Sequence, residues 1–127
     1  MLGLPSSVRI FLCVTPVDMR RSFDGLAEHV RQLLGEDPLS GHLFIFRNKE
    51  ETKMKILYWD RDGFAIWYKR LEKGRFNLPS SGGRGLEVDL TELSMMLNGL
   101  DRSSMVQQER YVAARSIKGV GAVGASV

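Results

Sequence analysis

The side chains of this sequence best suited to chemistry are basic and aromatic residues that crowd into its middle. Residues 47–75 hold nine lysines and arginines against five acids, whereas the flanking segments are close to neutral and the whole chain carries a net charge of +3. Cationic groups pair with backbone phosphates, and aromatic rings stack on bases. We therefore predict a DNA contact in this region. Its candidate residues, which include two arginines from upstream, are Arg20, Arg21, Arg47, Lys49, Lys53, Lys55, Lys69, Arg70, Lys73 and Arg75.

The same region also suits a contact with another protein. A helix predicted to follow Gly63 would carry Ile66 on an otherwise basic face, close to the aromatic residues Trp67 and Tyr68. Exposed apolar side chains with aromatic neighbours are typical of docking surfaces. Aromatic residues at this spacing also suit a core, and basic residues also suit a solvated face. Both kinds of partner therefore stay open.

Metal, cofactor and nucleophile patterns are weak in this chain. The two histidines, His29 and His42, are far apart, and the single cysteine, Cys13, lies in an apolar run where a buried thiol is expected. The glycines of 80–85 precede a strand and lack the Gly-Lys-Ser/Thr ending of a phosphate-binding loop. We expect no metal, no cofactor and no covalent catalysis.

Acidic residues offer the remaining route to catalysis, since some nucleases hold two metal ions with several carboxylates. We interpret Asp18, Asp60 and Asp62 as helix-entry residues, and we expect Asp24 to pair with Arg20 one helical turn away. The sequence therefore predicts that the protein is not an enzyme. The six carboxylates that a metal site would need to gather are Asp18, Asp24, Asp60, Asp62, Glu87 and Asp89.

Hydrophobic periodicity predicts the elements that position these residues. Apolar runs predict a strand over 8–14 and a hairpin over 42–59, whereas steps of three and four predict helices. We expect Thr15 to cap a first helix that ends at Gly35, and Thr91 to cap a last helix that ends near Gly99. The predicted segments are strands at 8–14, 42–47, 53–59 and 85–90 and helices at 16–34, 64–73 and 92–98.

The order β-α-β-β-α-β-α predicts an α+β fold with a largely antiparallel sheet and with helices on one face. We expect a single compact domain over 1–110. Residues 111–127 are mostly small and unpatterned, which predicts a flexible tail. The chain shows neither a secretion signal nor an apolar run of roughly 20 residues, so we expect it in the cytoplasm.

Several runs of residues resemble one family of proteins in the same order along the chain. The upstream runs are Thr15, Asp18-Met19-Arg20, Phe23-Asp24-Gly25-Leu26 and the segment from Gly41 to Asn48. The downstream runs are Lys55 to Asp60, Gly63, Trp67 to Leu71, Gly74 and Phe76. Together they resemble the TnpB-type accessory protein, encoded by the second open reading frame, of the sixty-sixth bacterial insertion-sequence family. The resemblance spans roughly 8–101, and it does not extend to the RNA-guided nuclease of the same name.

The resemblance implies a non-catalytic accessory protein for DNA transposition that works beside a separately encoded transposase. Its implied partners are the transposase and other element-encoded proteins, with DNA as the candidate ligand of residues 47–75. In a bacterial cell, DNA binding would associate it with the nucleoid. The sequence departs from the family pattern at Glu50 and Glu51, which interrupt a basic hairpin, and in the tail after Arg110.

Overall fold

The computed structural model describes residues 7–79 and 83–98. Its centre is a five-stranded sheet in the order β4-β3-β2-β1-β5, in which only β1 and β2 are parallel. The strands are β1 Ile10–Cys13, β2 Leu43–Arg47, β3 Lys53–Asp60, β4 Gly63–Arg70 and β5 Gly85–Val88. The helices are α1 Phe23–His29, which continues as a π-helical turn Val30–Leu34, and α2 Leu90–Leu97. The predicted α+β class and the largely antiparallel sheet are confirmed.

Strands β1 and β2, which both lie inside the sheet, are apolar at nearly every position. In β1, Ile10 and Leu12 point to one face of the sheet, whereas Phe11 and Cys13 point to the other, and all four are buried. A strand that is buried on both faces reads as a continuous apolar run. Because β1 and β2 run parallel, the chain must cross over between them, and α1 lies in that crossover.

The two helices cover opposite faces of the sheet, so the prediction that both lie on one face is wrong. Continuously apolar strands need cover on both sides, and one helix supplies it on each. The cluster on the α1 face contains Phe11, Cys13, Val17, Leu26, Ala27, Val30, Phe44, Phe46 and Leu57. The cluster on the α2 face contains Ile10, Leu12, Leu43, Ile45, Met54, Ile56, Phe76, Val88, Leu93 and Met96.

The predicted second helix over 64–73 is wrong, because this segment forms strand β4. It pairs with β3 in a hairpin that closes at Asp60 and Gly63, with Arg61 in a left-handed conformation at φ 59°. Neighbouring residues therefore point to opposite faces: Ile66 packs on the α1-face cluster and Trp67 on the α2-face cluster. Aromatic and β-branched residues beside a ready partner strand favour a sheet over a helix.

Both helix starts differ from the predictions, although the end of the first is confirmed. The segment from Thr15 to Ser22 is a loop, and α1 begins at Phe23. The π-helical turn ends at Gly35, which has a φ of 64°. The cap of α2 is Asp89, whose carboxylate accepts a hydrogen bond from the Glu92 amide while the Glu92 side chain accepts one from the Asp89 amide.

Two sequence predictions lie outside the described residues. These are the domain boundary at 110 with the tail 111–127, and the helix end near Gly99. In the described part of the chain, no helix has both the length and the apolar character needed to cross a membrane.

Candidate nucleic-acid interface

An open groove lies where the loop before α1, the β2–β3 turn and the end of β4 meet. Its volume is about 560 Å³. Because these three segments are far apart in the sequence, only the folded sheet brings them together. The charged and aromatic side chains that line this groove are Asp18, Arg20, Lys49, Glu50, Lys53 and Tyr68.

Lys55 does not line the groove but contacts two of the segments that form it. Its side chain is buried, with 8% exposure for the residue, and its Nζ donates hydrogen bonds of 2.8 Å to the carbonyl oxygens of Met19 and Arg21. The same Nζ lies 4.7 Å from the centroid of the Tyr68 ring, a cation–π distance. Lys55 therefore holds the loop before α1 against the hairpin and is engaged inside the protein instead of facing a phosphate.

The β2–β3 turn is organised by Asn48. Its Oδ1 accepts hydrogen bonds from the amides of Thr52 at 2.9 Å and Lys53 at 3.0 Å, and its Nδ2 donates to Thr52 Oγ1 at 3.1 Å. An asparagine that bonds to nearby backbone in this way fixes a tight turn. The turn leaves the Lys49 side chain exposed at the rim of the groove.

Two further predicted DNA-binding residues also bond to main-chain carbonyls. Arg47 is 16% exposed, donates from Nη2 to the Val14 carbonyl, and lies 3.7 Å from the Glu51 carboxylate. Lys69 donates from Nζ to the Leu97 carbonyl at 3.0 Å, at the end of α2 where a cation complements the helix dipole. Together with Lys55, these residues stabilise the fold.

The structure brings only part of the predicted basic set together. Arg20, Lys49 and Lys53 line the groove, whereas Lys69 and Arg70 are neighbours in a strand and point to opposite faces. The single basic helix face predicted for Lys69, Arg70 and Lys73 therefore does not exist. The remaining candidates are all exposed: Arg21 beside Gly25, Arg70 paired with Glu72 at 3.0 Å, Lys73, and Arg75 at 3.9 Å from Glu51.

Acidic side chains temper the positive charge of the groove. The Arg20 guanidinium pairs with the Asp18 carboxylate, and Arg20 Nη2 donates to Asp18 Oδ2 at 2.7 Å. The predicted ion pair between Arg20 and Asp24 is therefore wrong. The hydrogen bonds from Arg20 lower the pKa of Asp18 to about 2, and its charge persists at neutral pH. Glu50 lines the groove together with Lys49 and Lys53 and adds a second carboxylate, which accepts a hydrogen bond from Asn48 at 3.3 Å.

The predicted partner-binding residues are also divided by the strand. Tyr68 is 50% exposed and lines the groove, whereas Ile66 and Trp67 are partly buried on opposite faces of the sheet. The sequence did not predict the loop from Pro16 to Met19 as part of the site, because its pattern favoured a helix there. The second missed feature is the tight β2–β3 turn, which Asn48 could have indicated because asparagine favours turns.

The six carboxylates considered as a metal site are dispersed. Asp18 bonds to Arg20, Glu87 bonds to Arg9 at 2.7 Å, and Asp89 caps α2. Asp60 and Asp62 lie at the β3–β4 turn and do not enter a helix. Among the described residues, no three His, Cys, Asp or Glu side chains gather closely enough to hold a metal ion.

The sequence that forms this sheet, its helices and the groove matches a known protein family. A family model described as "IS66 Orf2 like protein" matches residues 8–107, which include every strand, both helices and all residues that line the groove. The chain belongs to this IS66 Orf2-like family. The sequence resemblance is thereby confirmed, and the protein is an insertion-sequence accessory protein.

Two relatives of this IS66 Orf2-like protein come from Sinorhizobium fredii. Uncharacterized protein y4hO is 36% identical over 101 residues, which cover 80% of this chain and 88% of the relative. Uncharacterized protein y4jC is also 36% identical over 101 residues, and the match covers 80% of this chain and 86% of the relative. No solved structure matches the chain.

Proposed function

We propose that this IS66 Orf2-like protein is a non-catalytic accessory of transposition that binds DNA of its element in the groove. Arg20, Lys49 and Lys53 would contact phosphates, and Tyr68 would stack on an unpaired base. The observation that carries the proposal is a half-exposed aromatic ring in a groove rimmed by three basic side chains. On this proposal the protein acts at the nucleoid.

Stacking on Tyr68 would favour DNA that contains unpaired bases. A base in a duplex is already stacked on its neighbours, whereas an unpaired base offers a free face to an aromatic ring. Lys55 holds the Tyr68 ring from within the protein, so little side-chain freedom remains to be lost on binding. The protein would therefore hold a strand that is exposed when the ends of the element are opened.

The groove suits binding better than bond cleavage. Its Asp18 carboxylate is ionised and engaged by Arg20, which makes it a poor proton carrier near neutral pH. Among the described residues that line the groove there is no histidine, cysteine or serine. Reaction of the DNA would fall to the separately encoded transposase.

Fluorescence anisotropy with single-stranded and duplex oligonucleotides of the element ends, over a series of salt concentrations, tests the proposal. Each phosphate contact to a single strand contributes about 0.7 to the slope of log affinity against log salt. Lys49→Ala and Lys53→Ala should each lower the slope by roughly that amount. Arg31→Ala is a control with the same charge change, because Arg31 is exposed on the π-helical turn and outside the groove.

The aromatic contact has its own pair of variants. Tyr68→Ala should weaken single-strand binding by roughly 1–3 kcal/mol, and Tyr68→Phe should retain most of the affinity because it keeps the ring. The proposal is wrong if neither oligonucleotide binds at low salt, or if Lys49→Ala and Arg31→Ala have equal effects.

Docking on the transposase is the alternative proposal for this protein. The sequence pattern places Ile66 on a basic helix face, whereas in the structure Ile66 is in a strand and partly buried against the α1-face cluster. Co-purification from cells that carry the whole element, with and without nuclease treatment, separates the two proposals. A transposase that remains bound after nuclease treatment, even to the Tyr68→Ala variant, would favour direct docking.

A further inference from the structure

The outer edge of β4 has the features of a pairing surface. β4 is the last strand of the sheet, and the Leu71 amide donates to the Thr52 carbonyl at 2.8 Å. In an antiparallel pair the residues that bond to the neighbouring strand alternate with those that do not. The register therefore directs the amides and carbonyls of four residues away from β3. These residues are Phe64, Ile66, Tyr68 and Arg70.

Most of this edge lacks the usual protection against pairing. Proteins generally blunt an edge strand by making it short or by placing lysine, proline or a bulge in it. β4 is eight residues long, and the stretch from Gly63 to Tyr68 contains neither a charge nor a proline. The two basic residues of the strand, Lys69 and Arg70, come at its end, and the Lys69 side chain bonds to the Leu97 carbonyl at 3.0 Å. Within the described residues, no further strand pairs with this edge.

The two ends of the edge carry opposite charges. Asp62 is exposed in the turn just before β4, and Arg70 is exposed at the end of the strand. Arg70 bonds to Glu72, but both side chains are mostly exposed at 64% and 76%, and such surface pairs exchange easily. An antiparallel copy of the same strand would place the acidic end of each against the basic end of the other.

We propose that β4 pairs antiparallel with β4 of a second copy of this chain, which joins two sheets into one across a two-fold axis. The register that matches both charge and backbone direction places Ile66 opposite Ile66 of the second copy. Phe64 then faces Tyr68 of the second copy, and Asp62 faces its Arg70. Aromatic pairs and opposite charges directly across a sheet both stabilise pairing. The interface is isologous, so each of these contacts occurs twice.

Pairing through β4 would also determine how the grooves of the two copies are arranged. Tyr68 is an edge residue and also lines the groove, so the two-fold axis brings two grooves to the same face of the joined sheet. Pairing through β4 does not require DNA, because the backbone and side chains of the strand make all of its contacts.

Sedimentation velocity of the full chain over a range of concentrations, without DNA, tests the pairing. We expect a monomer–dimer equilibrium. Asp62→Arg and Arg70→Asp should each weaken the dimer by roughly tenfold, because one attractive pair becomes repulsive at two places. The double variant Asp62→Arg/Arg70→Asp should recover the affinity of the unmodified chain. Asp24→Arg is the matched control, since Asp24 is exposed on α1, and it should leave the dimer unchanged.

Cross-linking checks the register in variants whose fold is verified by circular dichroism. In a Cys13→Ser background, Ile66→Cys should cross-link between copies with a short bifunctional maleimide. Phe64→Cys should not, because the two copies of that position would be on the order of 13 Å apart along the strands. A monomer at every concentration would overturn the proposal. So would a dimer without charge-swap recovery, or one in which Phe64→Cys cross-links as well as Ile66→Cys.

Discussion

The ammonium group of Lys55 lies 4.7 Å from the centroid of the Tyr68 ring, and the two residues face each other across the β3–β4 hairpin. The same ammonium donates to the carbonyls of Met19 and Arg21. One buried side chain thus connects the hairpin, the loop before α1 and the exposed ring. The shape of the groove depends on a lysine that does not line it.

Replacing Lys55 with methionine should lower the free energy of unfolding by roughly 1–3 kcal/mol, because the carbonyls of Met19 and Arg21 lose a charged donor. Urea denaturation measures the change. Lys53→Met is the matched control, since Lys53 lies two residues earlier on the same face of β3 and is more exposed. Equal stability of Lys55→Met and the unmodified protein would show that the hydrogen bonds contribute little.

Asp89 and Thr91, the capping residues of α2 in the structure and in the sequence prediction, should differ in their contribution to stability. Asp89→Ala should cost about 1 kcal/mol, because it removes the acceptor for the Glu92 amide at the start of the helix. Thr91→Ala should cost much less, since Thr91 lies within the first turn and is exposed. Thermal unfolding of both variants makes the comparison. The reverse order of stability would restore Thr91 as the cap.

His29 should make the protein less stable in mild acid. Its Nδ1 is buried, and among the described residues it has no hydrogen-bond partner. Burial, with a smaller contribution from the charge of Arg21, lowers the pKa of His29 below its ordinary value of 6.5. The unfolded chain then binds the proton more readily than the folded protein does, so stability is complete above pH 6.5 and decreases as the pH falls below it.

The measurement for His29 is the unfolding free energy as a function of pH. His29→Phe should flatten the curve below pH 6.5, because it keeps an aromatic ring near Phe46 and removes the titrating group. An unchanged slope in His29→Phe would exclude His29 as the cause.

Asp18 makes a separate contribution at lower pH. The pKa of its carboxyl is lowered from the ordinary value of 3.8 to about 2, so the carboxylate stabilises the fold above pH 3.8, and that stability is lost as the pH falls towards 2.

The thiol of Cys13 should be protected from reagents. Cys13 is 0% exposed, and burial raises the pKa of its thiol, so little thiolate is present at neutral pH. We expect a disulfide reagent to react on the order of 100-fold more slowly with the folded protein than with the protein in urea. Absorbance of the released thiol follows both reactions. Equal rates would mean that β1 opens readily.

The parts of the fold that local pattern determines were predictable. The continuous apolar runs predicted β1 and β2, and Gly35 predicted the end of the first helical segment. β4 was not predictable in this way, because Phe64, Trp67, Tyr68 and Leu71 fit helical spacing and also fit a strand with both faces partly covered. Pairing with β3 decides between them, and that choice is made by tertiary structure.

The site was predictable as a region and not as a set of residues. Residues 47–75 do contribute Lys49, Lys53 and Tyr68 to the groove. Lys55 and Lys69, however, bond to carbonyls of Arg21 and Leu97, which lie far from them in the sequence. A lysine's role depends on which acceptor the folded chain brings to it, and composition carries no record of that acceptor.

The position of β1 between β2 and β5 sets an order of events for the newly made chain. The hairpins β2–β3–β4 join neighbouring segments and can form once Arg70 has left the ribosome. Ile10 leaves the ribosome much earlier, yet one of its two partner residues is Val88, near the end of the described chain. The most apolar strand therefore waits longest for its second neighbour. Insertion of β1 should be the slow step of folding, and chains that stop before Gly85 should aggregate through it.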